Sequence, residues 1–176
     1  IKDVIERNRL RANVEVIDEL LNVVASSVGS LSNPSRLSNT FQSVKGLKIK
    51  NETISSYLDC FIDAYILSKS YRYDIKGRSY IDTPLKYYFT DVGLRNARLN
   101  FRQQEENHIM ENILYNELIA RDFNIDVGVV EYNHVDENGK KVRTQLEVDF
   151  VVNKTDKRYY IQSALTVSEE EKRQQE

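Results

Sequence analysis

The chain has 176 residues, 40% apolar and 30% charged, which is enough for one substantial core or two small ones. No apolar run approaches the ~20 residues that span a bilayer. One cysteine, Cys60, excludes an internal disulfide, and the only histidines, His108 and His134, leave too few ligands for a Cys/His metal cluster. The net charge of −2 conceals a division: residues 1–100 carry 15 Lys/Arg against 11 Asp/Glu, while residues 101–176 carry 10 against 16. Such a sign change predicts two modules. The composition suits a reducing cytoplasm, and a first residue of Ile rather than Met suggests a piece of a longer chain.

Residues 1–29 read as helical, with Val14, Ile17, Leu20/Leu21 and Val24 repeating at three to four and Gly29 as the stop. Asn33-Pro34 is an N-cap followed by proline at the first helical position, predicting a helix over Pro34–Val44 that Lys45-Gly46 ends. A third helix runs from Asn51 to about Tyr65 with Ile54, Leu58, Phe61, Ile62 and Tyr65 inward. Then come an extended segment Ile66–Tyr73, a turn Asp74–Gly77 and Arg78–Ile81, so that three helices and a hairpin predict a winged helix-turn-helix over residues 1–100. Lys86–Thr90 is a further strand, and Asp91-Val92-Gly93 opens a short helix to Leu99.

Residues 101–176 predict an α/β module. Its helix His108–Phe123 has an apolar stripe of Ile109, Ile113, Leu114, Leu118 and Ile119. Strands at about Val127–Val135 and Arg143–Val152 are joined by Asp136–Gly139, whose Asn-Gly is a hairpin signal. In Thr144–Val152, strict alternation puts Leu146, Val148, Phe150 and Val152 on one face and Glu147 and Asp149 on the other. The strand Lys157–Ala164 follows the turn Asn153–Asp156. A carboxylate in an otherwise buried strand is costly unless a metal, a cation or hydrogen bonds answer it.

An acid on the helix, Glu111, an acid on a strand, Asp149, and a polar residue on the next strand, Gln162, resemble the restriction-endonuclease-like PD-(D/E)XK nucleases. That resemblance implies Mg²⁺ held by Glu111, Asp149 and a second strand acid, activating a water, with a lysine assisting. Gln162 stands where the second acid belongs and Ala164 where the lysine belongs; Glu147 could partly substitute as a ligand, and Lys157 or Arg158 could reach in. Paired structural acids are the alternative for Glu147 and Asp149. Glu117 lies about 600° round the helix from Glu111 at ~100° per residue, so Glu111 is the preferred helix acid. His108 reads as a helix-start residue and His134 as solvated.

The helix from Asn51 turns Glu52, Ser55, Ser56, Asp59 and Asp63 outward, a poor surface for a DNA groove. Cations cluster later. Lys69, Arg72, Lys76, Arg78 and Lys86, interleaved with Tyr71, Tyr73, Tyr80, Tyr87 and Tyr88, predict either a nucleic-acid-binding wing or a solvated hairpin packed on the α/β half.

Several motifs in order carry a wider resemblance: Ser56-Tyr57-Leu58-Asp59, Asp63-Ala64-Tyr65-Ile66-Leu67, Tyr73-Asp74-Ile75-Lys76-Gly77, Lys86-Tyr87-Tyr88-Phe89-Thr90-Asp91-Val92-Gly93-Leu94, Glu111-Asn112-Ile113, Glu147-Val148-Asp149-Phe150-Val151 and Tyr160-Ile161-Gln162. Together they resemble the C-terminal domain of prokaryotic AAA-type ATPases labelled only as ATP-binding proteins. The resemblance implies an ATP-binding module N-terminal to Ile1 as a partner within the same protein, and that Gln162 is usual in the group. No G-x-x-x-x-G-K-[ST] occurs here, so ATP is not expected on these residues. Three functions follow as expectations: a non-catalytic nucleic-acid- or partner-binding module, a Mg²⁺-dependent nuclease, or a protein-interaction and oligomerisation module. No cofactor is expected in the chain itself unless the nuclease-like site takes Mg²⁺.

Overall fold

In a computed structural model, residues 6, 14–102, 105–135 and 139–164 are described. Helix α1 (Val14–Ser26) buries Ile17, Leu20, Leu21 and Val24. Helix α2 (Pro34–Lys45) starts as its sequence dictates: the Asn33 side chain accepts from the Arg36 amide, Pro34 occupies the first turn, and Gly46 ends the helix at φ 68°. Helix α3 (Asn51–Asp63) turns Ile54, Tyr57, Leu58 and Phe61 inward. Tyr65, expected inward as well, lies past the helix end at φ 55° and is 83% exposed. The helix ends at Asp63, two residues before Tyr65.

Strands β1 (Leu67–Asp74) and β2 (Ser79–Phe89) form the hairpin expected as a wing. They are followed by helix α4 (Val92–Arg98), capped by Asp91 accepting from the Gly93 and Leu94 amides, and helix α5 (Glu106–Ala120). Strands β3 (Asn124–Val135), β4 (Lys141–Lys154) and β5 (Lys157–Ile161) complete one sheet of order β2-β1-β3-β4-β5. All its pairs are antiparallel except β1 with β3, and that parallel pair crosses the division expected at residue 100. The hairpin is therefore part of the same sheet as the C-terminal strands. The expected turn residues 136–138 and the tail 165–176 lie outside the described residues.

The core draws on both ends of the chain. Tyr88 of β2 stacks on Tyr115 of α5 at 4.1 Å, and Phe150 of β4 lies within 6.4 Å of both rings. Each such fully buried side chain contributes roughly 1.5–3 kcal/mol. Two expectations about faces are corrected. Of the expected α5 stripe Leu114 and Leu118 pack on the core, but Ile113 and Ile119 are exposed and Glu111, Asn112 and Tyr115 are buried, because the inner face meets the backbone and polar groups of β2 as well as the Tyr88 ring. Asn112 accepts from the Phe89 amide at 2.9 Å and donates to the Phe89 carbonyl at 2.7 Å, closing part of an edge strand.

The second correction concerns β4. Asp126 pairs with Val151 but Gly128 pairs with Val148, so β4 holds one more residue than β3 between these pairs. This β-bulge breaks the strict alternation. Asp149 joins Phe150 and Val152 on the α5 side, whereas Val148 and Val151 meet Gly128 on the other, and Leu146 is 51% exposed. No helix among the described residues is long and apolar enough to cross a membrane.

Candidate functional site

The bulge aims Asp149 toward β2 and α5, and a buried charged centre results. Lys86 is 2% exposed. Its Nζ lies 2.8 Å from Glu111 Oε1, 2.6 Å from Glu147 Oε1 and 3.7 Å from Asp149 Oδ1. Three acids from two other elements surround the ammonium, Glu111 and Glu147 within hydrogen-bond distance and Asp149 farther out, so one cation stands against three carboxylates. Tyr88 donates from its hydroxyl to Glu111 Oε1 at 2.7 Å. Gly29, at φ 72°, presses its Cα side against the same carboxylate, where an added Cβ would lie 3.2–3.3 Å from Glu111 atoms.

Asp149 is held from its far side. Its Oδ2 accepts from Gln162 Nε2 at 2.9 Å, the Ser163 amide at 2.8 Å and Ser163 Oγ at 2.7 Å. The Gln162 carbonyl accepts from the Asp149 amide at 3.4 Å. Gln162 is thus a donor to the strand acid and spends its own oxygen on backbone. A cavity of about 480 Å³, lined by Asn107, His108, Glu111, Asp149, Gln162, Ser163 and Ala164, opens over this arrangement.

Burial alone would lower the Lys86 pKa, but Glu111 and Glu147 outweigh it and hold it above the ordinary lysine value. Burial raises the Glu111 pKa, with the Asp149 charge adding to it and Lys86 and Tyr88 opposing. Burial, then the Glu111 charge, keeps the Tyr88 phenol well above its ordinary range. The centre is built to hold its protons on Lys86 and Tyr88 at neutral pH.

Glu111, Glu147, Asp149 and Gln162, the expected nuclease-like set, therefore do come together. They do not fit Mg²⁺ as arranged: the ammonium takes the position on which the carboxylates converge, and Gln162 offers nitrogen rather than oxygen. Among the described residues no group of three His, Cys, Asp or Glu side chains is placed to hold a metal ion. Neither Lys157 nor Arg158 substitutes for Ala164; Arg158 lies over the Tyr73 ring at 5.2 Å, and Lys157 is exposed at the start of β5. Glu117 is exposed and pairs with Arg121. His108 lies 3.5 Å from Glu105, and His134 stacks on Tyr132.

The five cations expected on a nucleic-acid surface separate into two sets. Lys76 and Arg78 are exposed, and Lys69 is half-buried with its Nζ 5.6 Å from the Tyr71 ring centroid. Arg72 is buried and donates to Gln145 at 2.8 Å, and Lys86 is the buried centre, so neither meets solvent phosphates. Sequence reasoning placed Lys86 on the wrong kind of surface. Its signal was there: a lone cation inside the apolar run Leu85–Phe89, on the same strand face as Tyr88.

No solved structure matches the chain. It is 32% identical over 157 residues to an uncharacterised protein of Haemophilus influenzae, covering 89% of this chain and 36% of that protein. It is also 32% identical over 124 residues to an uncharacterised protein of Methanocaldococcus jannaschii, covering 69% of this chain and 26% of that one. The chain thus spans about a third and a quarter of the length of these relatives. Residues 1–105, from before α1 to the loop preceding α5, match a domain of unknown function, DUF8612, and the chain belongs to that family.

Proposed function

We propose that this chain is a non-catalytic module, engaging nucleic acid or a protein partner within a longer, ATP-hydrolysing protein. The observation that carries this reading is the Lys86 ammonium inside the Glu111–Glu147–Asp149 set, which gives each carboxylate an internal partner. The motif resemblance to AAA-type ATPase C-terminal domains supplies the larger setting, and the greater length of the relatives accords with it. Lys76 and Arg78, with Lys69 and Arg158 against tyrosine rings, form the surface on which phosphates would be met.

The test has two arms. Wild-type protein incubated with Mg²⁺ or Mn²⁺ and a panel of DNA and RNA substrates should leave them intact. Cleavage abolished by Asp149→Ala would sink the non-catalytic reading. Binding to labelled single- and double-stranded DNA or RNA should weaken with salt, and Lys76→Ala with Arg78→Ala should lower the salt slope by about 1 per lost phosphate contact. Binding insensitive to both favours a protein partner.

A Mg²⁺-dependent nuclease is the second reading, favoured by one observation: Lys86 brings an ammonium beside Glu111 and Asp149 in place of the lysine missing at Ala164.

A further inference from the structure

We infer that Lys86 is the resident cation of the acidic centre and that its ammonium excludes a divalent ion from these carboxylates. This rests on the non-catalytic reading above and gives it a cause. Three carboxylates from α5 and β4 converge on a single nitrogen that is nearly inaccessible to water. Carboxylate oxygens so gathered are the donors that Mg²⁺ or Mn²⁺ prefers. The ammonium meets these acids at 2.6–3.7 Å and brings one charge where a divalent ion would bring two.

The surrounding groups fit this role. Gln162 and Ser163 fix Asp149 through Oδ2, which leaves Oδ1 facing Lys86. Tyr88 fixes Glu111 through its hydroxyl. The cavity lined by Glu111 and Asp149 gives small ions a route to the carboxylates. What keeps a divalent ion out is the like charge of Lys86, whose ammonium is held by Glu111 at 2.8 Å and Glu147 at 2.6 Å.

Mn²⁺ binding and thermal melting of wild type, Lys86→Ala and Lys86→Ala/Asp149→Asn decide the matter. Wild type should show no saturable Mn²⁺ uptake and an unchanged melting temperature. Lys86→Ala should bind one Mn²⁺ at least about tenfold more tightly than wild type, since a like charge no longer competes, and should regain melting temperature on binding. The double variant should lose that uptake. If Lys86→Ala is unfolded in metal-free buffer, recovery of its circular dichroism on adding Mn²⁺ supports exclusion. Absence of recovery, also with Glu147→Gln added to reduce the negative charge, overturns it. Equal Mn²⁺ affinity in wild type and Lys86→Ala overturns it too. Cleavage of nucleic acid by wild type would instead sink the non-catalytic reading, so the two failures are distinguishable.

Discussion

Lys86 replaced by Met leaves Glu111, Glu147 and Asp149 with their mutual repulsion and no counter-charge. Breaking a buried ion pair from one side costs about 3–5 kcal/mol, and urea unfolding of Lys86→Met should show a loss of that order. A loss within about 0.5 kcal/mol, the usual range for surface changes, would place the ammonium in solvent. Glu111 makes a prediction with a definite sign. Its pKa is raised on folding, chiefly by burial, so the folded state holds that proton more tightly than the unfolded chain. The stability it contributes is present below the ordinary glutamate value and is lost as pH rises through the folded value. Glu111→Gln cannot ionise, so its melting temperature relative to wild type should rise between pH 4 and neutrality. A difference that stays flat, or falls, would mean that the carboxylate is not penalised by its site.

At the scale of the element, locally coded features were legible and register-dependent ones were not. Asn33-Pro34 and Asp91 mark their helix starts because a cap is a contact within three residues. The inner face of α5 was only partly legible from periodicity: Leu114 and Leu118 pack on the core as expected, but beside Tyr115 the helix also meets backbone and charge, for which Asn112 and Glu111 are the matching side chains. The bulge in β4 escaped because it exists only relative to β3. Alternation along β4 alone therefore put Asp149 on the face opposite Phe150 and Val152, while the nearness of Glu111 to Asp149 was expected only from the resemblance to PD-(D/E)XK nucleases. Lys86 was legible only as an anomaly in an apolar strand. The bulge also yields a test on its partner strand. A Cβ on Gly128 would lie 2.7 Å from Val151 Cγ2 and 2.9 Å from Val148 Cβ, and the latter atom is fixed to its backbone. Gly128→Ala should cost about 1–3 kcal/mol by overpacking, measured as a shift in urea midpoint with unchanged slope; no shift would show that β3 and β4 can part without penalty.

Over the whole molecule, the parallel pairing of β1 with β3 ties the helical N-terminal part to the C-terminal strands. The DUF8612 match ends at residue 105, yet the sheet it contains is completed by β3, β4 and β5. Residues 1–100 alone would bare the Tyr88 ring that Tyr115 and Phe150 cover, and would leave Lys86 without its acids. Far-UV circular dichroism and tyrosine fluorescence should therefore report coincident unfolding of the 176-residue chain, and a fragment of residues 1–100 should not melt cooperatively. Two resolved transitions, or a fragment with its own sharp melt, would support a division at residue 100.

Gly29 gives the acidic centre a remote lever. It sits in the connection between α1 and α2, 82 positions before Glu111, and the space beside it is filled by that carboxylate. A single methyl at position 29 would be strained by its backbone and would make the Glu111 carboxylate, which holds Lys86 and Tyr88, give by a few tenths of an ångström. A change in a bend between two helices would then be felt as an altered proton affinity at a neighbouring carboxylate far away in the sequence, and a survey confined to acids and lysines would overlook the residue responsible.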